Sequence, residues 1–256
     1  MISVKLPTQS SIMTVMTKAA VRASRGLLRD FTELENLQVS VKSNHTFVTG
    51  ADLRADKVLR KELSFARPKY SLLSEESQEI IGEDPSYKWI IDPLDGTVNY
   101  MHGFPHWAIS IALKKENEVI AAVTYDPVKN EMFWAEKGCG AYLNDRKIRV
   151  AKKKQVGDLL ISFGSSSYTC KSKTLVPSIR RTGSTTLDMA YLAAGRIDVL
   201  YGTENPNEWD VAAGMLLIKE AGGILADING KPTTDYKNAA IMTNVDLLQL
   251  ASELVA

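Results

Sequence analysis

Cysteine, histidine and net charge are all scarce in this sequence, and each shortage excludes a class of protein. The 256 residues include two cysteines and three histidines, and 31 basic side chains against 30 acidic ones leave a net charge of +1. Two thiols are too few for a disulfide framework, so we expect reduced cysteines and a cytoplasmic location. The near-zero net charge gives no indication of nucleic-acid binding or of attraction to a membrane surface.

Long apolar runs are also missing. No stretch approaches the roughly 18 uncharged apolar residues that a membrane-spanning helix needs. The N-terminal segment contains Lys5 and Pro7 and lacks the continuous apolar region of a secretion signal. We therefore expect neither secretion nor insertion into a membrane.

The chain does have enough apolar residues for a sizeable core. Hydrophobic residues make up 45% of the sequence, which suits one large domain or two intimately packed lobes. No internal repeat or low-complexity linker divides the chain. We predict a single domain over residues 1–256, with a soft subdomain boundary near residue 150 between an N-terminal α+β lobe and a C-terminal α/β lobe.

Hydrophobic periodicity predicts alternating layers of sheet and helix. Ser10 or Ser11 can cap a first helix, and a second helix is predicted over residues 52–66. Strands are predicted at residues 71–73, 88–91, 107–113, 119–125 and 131–135. In the second half, strands and helices are predicted to alternate at residues 159–163, 185–194, 197–201, 211–221, 223–227, 239–243 and 246–254.

Two carboxylates three positions apart follow a buried strand at residues 89–91. The segment reads Asp92-Pro93-Leu94-Asp95-Gly96-Thr97. Pro93 is expected to end the strand, so that both Asp side chains converge at its exit. Gly96 permits close approach of a ligand, and the N–H groups of Gly96 and Thr97 would face an anion if a helical turn follows. Unpaired carboxylates at ~4 Å repel by on the order of 4 kcal/mol at an effective dielectric of about 20, a penalty that a divalent cation removes. The segment therefore indicates a magnesium and phosphate site.

Two further acidic clusters favour one convergent site over a solvated Asp-Pro turn. Glu75 and Glu76 follow the apolar run at residues 72–73, and Glu208 and Asp210 precede a small, apolar, helix-permissive stretch. Helix N-capping alone would also explain Asp210. Convergence of acidic groups from three distant segments is the interpretation that we carry forward.

These segments resemble the inositol monophosphatase family, in particular its bacterial extragenic-suppressor branch. The resemblance is carried by Glu-Glu-Ser at 75–77, Asp-Pro-Leu-Asp-Gly-Thr-Val-Asn at 92–99 and Trp-Asp-Val-Ala-Ala-Gly at 209–214, supported by Arg-Thr-Gly-Ser at 181–184. It extends from the first helix to the C-terminus. It implies an α/β (α+β) fold, the layered αβαβα sandwich that this family shares with fructose-1,6-bisphosphatase, and a phosphoric monoester hydrolase activity.

Carried over position by position, the family pattern implies a site for two to three Mg²⁺ ions. Four carboxylates and a phosphate dianion carry six formal negative charges, which three Mg²⁺ ions would balance, and magnesium prefers such oxygen ligands. The resemblance makes Glu75, Asp92 and the Leu94 carbonyl ligands of the first ion, and Asp92, Asp95 and Asp210 ligands of the second. A third, looser ion would touch Glu75 and water. One ion would activate the attacking water while another neutralises the leaving alkoxide, with in-line transfer and no phosphoenzyme.

Thr97 and Asp52 are the candidates for proton relay from the attacking water, because the family pairs these two positions. N-capping by Asp52 and backbone bonding by Thr97 are the structural alternatives. Glu75 contributes to catalysis through its metal, whereas Glu76 either holds a metal-bound water or belongs to a surface network. Lys42 is expected near the third ion.

The substrate contacts depart from the family pattern. Seven positions before Asp210, where the inositol enzymes usually carry a Glu that binds inositol hydroxyls, this chain has Thr203, with Glu204 adjacent. Gly183, Ser184 and Thr185 are candidate contacts to substrate hydroxyls. Asp95, Gly96, Thr97 and Asp210 complete the predicted substrate site.

The resemblance thus implies a Mg²⁺-dependent, lithium-sensitive phosphatase acting on inositol 1-phosphate or a related sugar phosphate. Phosphatases for 3′-phosphoadenosine 5′-phosphate or fructose 1,6-bisphosphate are the enzymatic alternatives. The suppressor-type branch is also associated with transcription and ribosomal RNA synthesis, which leaves open a role as a binding partner of that machinery. The family is commonly dimeric, so we expect a homodimer.

Overall fold

Two β-sheets and six α-helices make up the part of the chain that the computed structural model describes. This part comprises residues 10–33, 39–41, 47–154, 159–164, 178–203 and 205–255, with only the backbone described at 39–41 and 47–49. The lone strand pair outside the two sheets is β1 (Val39–Val41) with β2 (Phe47–Thr49). Among the helices of these residues, none combines the length and apolar character that a membrane crossing requires.

Helices α1 (Ser11–Thr32) and α2 (Gly50–Ala66) form the first layer. Ser10 caps α1, as the sequence predicted, because its Oγ accepts a hydrogen bond of 3.2 Å from the Met13 N–H. The buried side of α1 carries Met16, Ala19, Ala23 and Leu27, which pack on α2 and on the larger sheet. These apolar side chains therefore form the core face of the helix.

The larger sheet has eight strands in the order β10-β9-β8-β7-β6-β5-β3-β4. Its strands are β3 (Tyr70–Ser74), β4 (Ser77–Ile80), β5 (Asp84–Asp95), β6 (Ala108–Lys115), β7 (Glu118–Asp126), β8 (Glu131–Glu136), β9 (Gly140–Leu143) and β10 (Arg146–Ile148). Only β3 and β5 pair in parallel, and the remaining neighbours are antiparallel. The parallel pair brings the ends of β3 and β5 to the same edge of the sheet.

The prediction that Pro93 ends its strand is wrong. β5 continues through Pro93 to Asp95, with Asp92 opposite Ser110 and Asp95 opposite Ala108 on β6. Three steps along β5 thus match two along β6, which is a bulge with one extra residue. A bulge accommodates proline because the ladder is interrupted there.

The smaller sheet has five strands in the order β12-β11-β13-β15-β14. They are β11 (Leu160–Phe163), β12 (Ser178–Arg180), β13 (Val199–Tyr201), β14 (Ile224–Ala226) and β15 (Ile241–Thr243). Helices α4 (Thr185–Ala193) and α5 (Glu208–Glu220) lie between these strands in the sequence, and α6 (Leu248–Leu254) follows them. The short helix α3 (Thr97–Met101) lies earlier, between β5 and β6. The helix predicted at 246–254 begins as a 3-10 turn over Val245–Leu247. The short strands β4, β9, β10 and β12 were not predicted, since each has only three or four residues, and β4, β10 and β12 have a single apolar residue each.

Three cores separate the layers and confirm the αβαβα sandwich. On β5, Trp89 and Ile91 face α1 and α2, whereas Ile90 faces α4 and α5. The same central core reaches Leu200 and Met242 of the smaller sheet, whose opposite face packs on α6 through Ile161 and Leu254 and their neighbours. The order of layers is therefore α1/α2, larger sheet, α4/α5, smaller sheet, α6. Ile148 ends the last strand of the larger sheet, and all later strands belong to the smaller sheet. The division into lobes near residue 150 stays a prediction.

Candidate active site

The parallel pairing of β3 and β5 brings the first two acidic segments together. Ser74 at the end of β3 lies opposite Ile91, and the Glu75 N–H donates to the Ile91 carbonyl at 3.2 Å. Glu75 therefore stands beside Asp92, the next residue of β5. Glu75 and Glu76 are both half-buried in the turn between β3 and β4.

Asp92 is buried, with 1% of its surface exposed. Its Oδ1 accepts a hydrogen bond of 3.0 Å from the Leu94 N–H, while its buried Oδ2 has no hydrogen-bond partner among the described residues. Burial raises the pKa of Asp92 well above its ordinary value, and the negative charges of Glu75, Asp95 and Asp210 raise it further. A buried carboxylate oxygen without a donor is costly, so this atom is suited to a cation.

Asp95 shares a face of the sheet with Asp92 because of the bulge in β5. Residues three positions apart on a regular strand point to opposite faces, and the extra residue reverses that relation. The Asp95 Oδ2 accepts hydrogen bonds from Ser184 Oγ at 2.5 Å, Thr186 N at 2.8 Å and Thr186 Oγ1 at 2.6 Å. Burial raises the pKa of Asp95, although the bonds from Ser184 and Thr186 act in the opposite direction.

Asp210 reaches the same site from α5. The alternative that Asp210 is the N-cap of this helix is wrong. The cap is Asn207, and Asp210 is the third residue of the helix, with Oδ2 accepting from the Asn207 N–H at 2.9 Å. Burial raises the pKa of Asp210 to about 7, with the charges of Asp95 and Glu75 adding to the effect. Its charge is thus coupled to those of the other acidic segments.

The four carboxylates have the chemistry that a hard cation prefers. Glu75, Asp92, Asp95 and Asp210 offer the carboxylate oxygens that Mg²⁺ prefers, and Asp92 Oδ2 is a buried oxygen with no hydrogen-bond partner in the described part of the chain. Within the described ranges, no group of three or more His, Cys, Asp or Glu side chains is already arranged to hold a metal ion. Leu94 N, the start of α4 and Asn207 each hold one carboxylate oxygen, of Asp92, Asp95 and Asp210 respectively. These bonds orient the three carboxylates, and the donor set fits a divalent cation.

Thr97 and Asp52 lie side by side, as the family pattern implied. Thr97 Oγ1 is 3.2 Å from Asp52 Oδ1 and 3.1 Å from the Leu94 carbonyl oxygen, the predicted backbone ligand. Asp52 is buried in the first turn of α2 as its third residue. One hydroxyl thus connects the candidate base to the candidate metal ligand.

Gly96 turns the chain from β5 into α3 and needs to be glycine. Its φ is +89°, and a Cβ there would lie 3.0 Å from the His106 carbonyl oxygen. The five-residue α3 starts directly after it, so the helical turn that anion binding by Gly96 and Thr97 would require is present. The close packing leaves no room for a larger residue at this turn.

Asn99 connects this turn to the segment at residues 182–184, a link that we did not predict. Its Nδ2 donates to the carbonyl oxygens of His106 at 2.7 Å and Thr182 at 2.8 Å. Gly183, with φ +83°, packs so closely that a Cβ would lie 3.0 Å from the Asn99 amide. Asn99 is the last residue of the motif at residues 92–99, and this position was the one sequence feature that could have indicated its role.

The structure describes some of the predicted substrate contacts at the start of α4. Ser184 caps α4 and donates to Asp95, Thr185 follows as the first residue of α4, and Thr203 lies beside Gly164. Lys42 and Glu204 lie outside the described residues.

A cavity of about 650 Å³ opens elsewhere, between the β6–β7 hairpin and α5, lined by Lys114, Met215, Tyr236 and their neighbours. Its lining contains none of the four carboxylates.

Known proteins resemble this chain over nearly its whole length. A sequence model of the inositol monophosphatase family matches residues 8–255. An inositol-1-monophosphatase of Rhizobium meliloti is 44% identical over 87% of each chain, and a protein of Xylella fastidiosa named Nus factor SuhB is 43% identical over 87% of this chain and 84% of its own. The crystal structure of the extragenic suppressor protein SuhB from Bartonella henselae superposes with a TM-score of 0.87 at 40% identity, covering 95% of this chain and 98% of that one. The protein described here therefore belongs to the inositol monophosphatase family and is a phosphatase of that family.

Proposed function

We propose that this phosphatase is Mg²⁺-dependent and hydrolyses inositol 1-phosphate or a related sugar phosphate with an activated water. The observation that carries the proposal is Asp92, whose Oδ2 lacks a donor among the residues that the structure describes, while burial and three other carboxylates raise its pKa. Such mutual repulsion is relieved when a divalent cation is shared between the carboxylates.

The family resemblance implies two groups of ligands. Glu75, Asp92 and the Leu94 carbonyl would hold one Mg²⁺ ion, and Asp92, Asp95 and Asp210 a second, with a third ion beside Glu75. Bound Mg²⁺ supplies a water of lowered pKa and positive charge at the leaving oxygen. The protein's own part is to hold these oxygens at the end of β5, where the bulge directs Asp92 and Asp95 to one face.

The Thr97 hydroxyl and Asp52 are proposed to take the proton from the attacking water. Thr97 Oγ1 is within 3.2 Å of Asp52 Oδ1, so a proton accepted at the hydroxyl can pass to a carboxylate shielded from solvent. The N–H groups of Gly96 and Thr97 are proposed to bind the phosphate oxygens.

Recognition of the sugar is expected to differ from that in the inositol enzymes. Thr203 replaces the usual inositol-binding Glu, and the Ser184 hydroxyl is already committed to Asp95. Gly183 and Thr185 remain the candidate contacts to substrate hydroxyls. Inositol 1-phosphate and other sugar phosphates are thus the first substrates to compare, with 3′-phosphoadenosine 5′-phosphate and fructose 1,6-bisphosphate as alternatives.

Phosphate release from this set of substrates, measured with and without Mg²⁺, tests the proposal. We expect Mg²⁺-dependent turnover that Li⁺ inhibits and that Asp92→Asn abolishes. Asp198→Asn is the matched control, because Asp198 is also buried and has one carboxylate oxygen with no partner in the described part of the chain, but it directly precedes β13 of the smaller sheet and accepts from the Leu160 N–H. Equal turnover without Mg²⁺, or by Asp92→Asn, would contradict the proposal.

A role as a binding partner of the transcription machinery is the second candidate. It is favoured by the Xylella relative, which is 43% identical and is named a Nus factor. Deletion of the gene, followed by complementation with Asp92→Asn, separates the two roles. Rescue of growth by a folded but inactive variant indicates binding, whereas failure indicates that turnover is needed.

We also propose a cytoplasmic homodimer. The exposed free thiol of Cys139 suits a reducing compartment, and the dimer is carried over from the family resemblance. Light scattering on the purified protein measures the mass directly, and a monomer at micromolar concentration contradicts the dimer.

A further inference from the structure

The start of α4 is attached to Asp95 by three hydrogen bonds to a single oxygen. Ser184 Oγ, Thr186 N and Thr186 Oγ1 all donate to Asp95 Oδ2, at 2.5, 2.8 and 2.6 Å. Ser184 is 2% exposed and Thr186 is fully buried. These hydroxyls are therefore enclosed in the protein and face the carboxylate.

The Ser184 hydroxyl has no proton left to offer a substrate. It carries one hydrogen, which points to Asp95, and its oxygen accepts a bond of 3.4 Å from the Leu187 N–H as the cap of α4. The sequence-based assignment of Ser184 as a substrate contact thus conflicts with its bonding. Ser184 and Thr186 act on the site through Asp95.

The segment that carries these donors is itself fixed from the other side. Asn99 donates to the Thr182 carbonyl at 2.8 Å, and Gly183 packs against the Asn99 amide. Asp95 and Asn99 belong to one short turn, so two points of that turn are attached to the same end of α4. The arrangement leaves the Asp95 carboxylate little rotational freedom.

We propose that Ser184 and Thr186 are positioning residues, which hold Asp95 Oδ2 so that Asp95 Oδ1 is presented to the divalent cation. The inference depends on the proposed metal site. Partners that orient a ligating carboxylate contribute strongly to metal affinity, and losing one typically costs about 10- to 100-fold. The energy comes from pre-organisation, because an unheld carboxylate must be ordered when the cation binds.

Titration calorimetry of the full-length protein with Mn²⁺, in the absence of substrate, tests this role. We expect Thr186→Val to weaken Mn²⁺ binding at one site by about 10-fold or more, and Ser184→Ala to weaken it in the same direction. Thr186→Ser keeps the donor and should restore the wild-type affinity. Thr243→Val is the matched control, since Thr243 is a buried threonine that donates to the Asp198 carbonyl in the smaller sheet.

The outcomes separate this inference from the proposed function. Wild-type protein that binds no Mn²⁺ overturns both. Wild-type binding that persists unchanged in Thr186→Val, with only a lower melting temperature like that of Thr243→Val, overturns the positioning role alone. Weaker binding in Thr186→Val and normal binding in Thr186→Ser and Thr243→Val supports it.

Discussion

The hydroxyl of Thr97 lies 3.2 Å from the carboxylate of Asp52, which joins the first turn of α3 to the first turn of α2. The two residues are 45 positions apart in the sequence. The contact crosses from the sheet edge to the outer helical layer, so the candidate proton relay depends on the packing of α2 against β5.

The Thr97–Asp52 pair predicts a specific loss of turnover. Thr97→Val removes the hydroxyl, and kcat should fall by about 100-fold or more with a smaller change in KM, because proton transfer assists only the transition state. Thr97→Ser should retain most of the activity. Steady-state kinetics at saturating Mg²⁺ provide the measurement.

The double variant provides the internal check on this relay. If Thr97 and Asp52 act as one unit, Thr97→Val combined with Asp52→Asn should be no slower than the slower single variant. Losses that simply multiply would indicate two independent roles.

Removing the charge of Asp92 should stabilise the metal-free protein. Asn at this position ends the repulsion with Glu75, Asp95 and Asp210, and we expect the free energy of unfolding to rise by about 0.5 to 2 kcal/mol without metal. Added Mg²⁺ should stabilise the wild type more than Asp92→Asn, because the cation binds the folded acidic site. Urea titrations with and without Mg²⁺ measure both effects, and a destabilised Asp92→Asn in the absence of metal contradicts the expectation.

His106 predicts a loss of stability at mildly acidic pH. Burial, with the nearby Lys129 ammonium, lowers the pKa of His106 to about 4 from its usual 6.5. The unfolded chain therefore binds a proton at a pH where the folded chain does not, so the contribution of His106 is full above pH 6.5 and declines as the pH falls toward 4. Between pH 7.5 and 5 the loss is about 1 to 2 kcal/mol, a value reduced for partial solvent screening.

Comparison with His106→Phe isolates this effect from the other titrating groups. The ring of His106 packs edge-on against Tyr191 with centroids 5.7 Å apart, which a phenyl ring can preserve. The stability difference between wild type and variant should change with pH in the stated window, and a constant difference would exclude His106 as the source.

We expect Asn99 to couple the turn at Gly96 to the start of α4. Asn99→Asp replaces the amide that donates to the His106 and Thr182 carbonyls with an oxygen that cannot donate, and the protein should lose about 1 to 3 kcal/mol of stability. KM for the sugar phosphate should also rise, since Gly183 is held by the same contact. Asn144→Asp is the matched control, because Asn144 also donates to a backbone carbonyl, but from the β9–β10 turn to Asn130. An equal change of KM in both variants would rule out the coupling.

Much of the fold was available from the sequence, and the misses have identifiable causes. The Ser10 cap, the buried face of α1 and the apolar strands around Trp89 all follow local periodicity. The course of β5 through Pro93 does not, because a bulge depends on the register with β6 rather than on β5 itself. Asn207 was overlooked as a cap because Asp210 is also a good capping residue.

The candidate site, like the fold, could be predicted from the sequence only in part. Local motifs indicated Glu75, Asp92, Asp95, Thr97 and Asp210, since carboxylates that end apolar runs are recognisable one segment at a time. The three bonds from α4 to Asp95 join residues 89 and 91 positions apart, and no local pattern marks them. Ser184 was therefore assigned to substrate, although its proton is donated to the protein.

By itself, the sequence determined which residue types are available and which short segments are strand, turn or helix, because periodicity and turn chemistry act over a few neighbouring residues. Only the tertiary structure decided that the bulge in β5 directs Asp92 and Asp95 to one face of the sheet. It also decided that one oxygen of Asp95 belongs to α4. These relations arise from strand register and layer packing, in which a one-residue shift redirects a side chain to the opposite face.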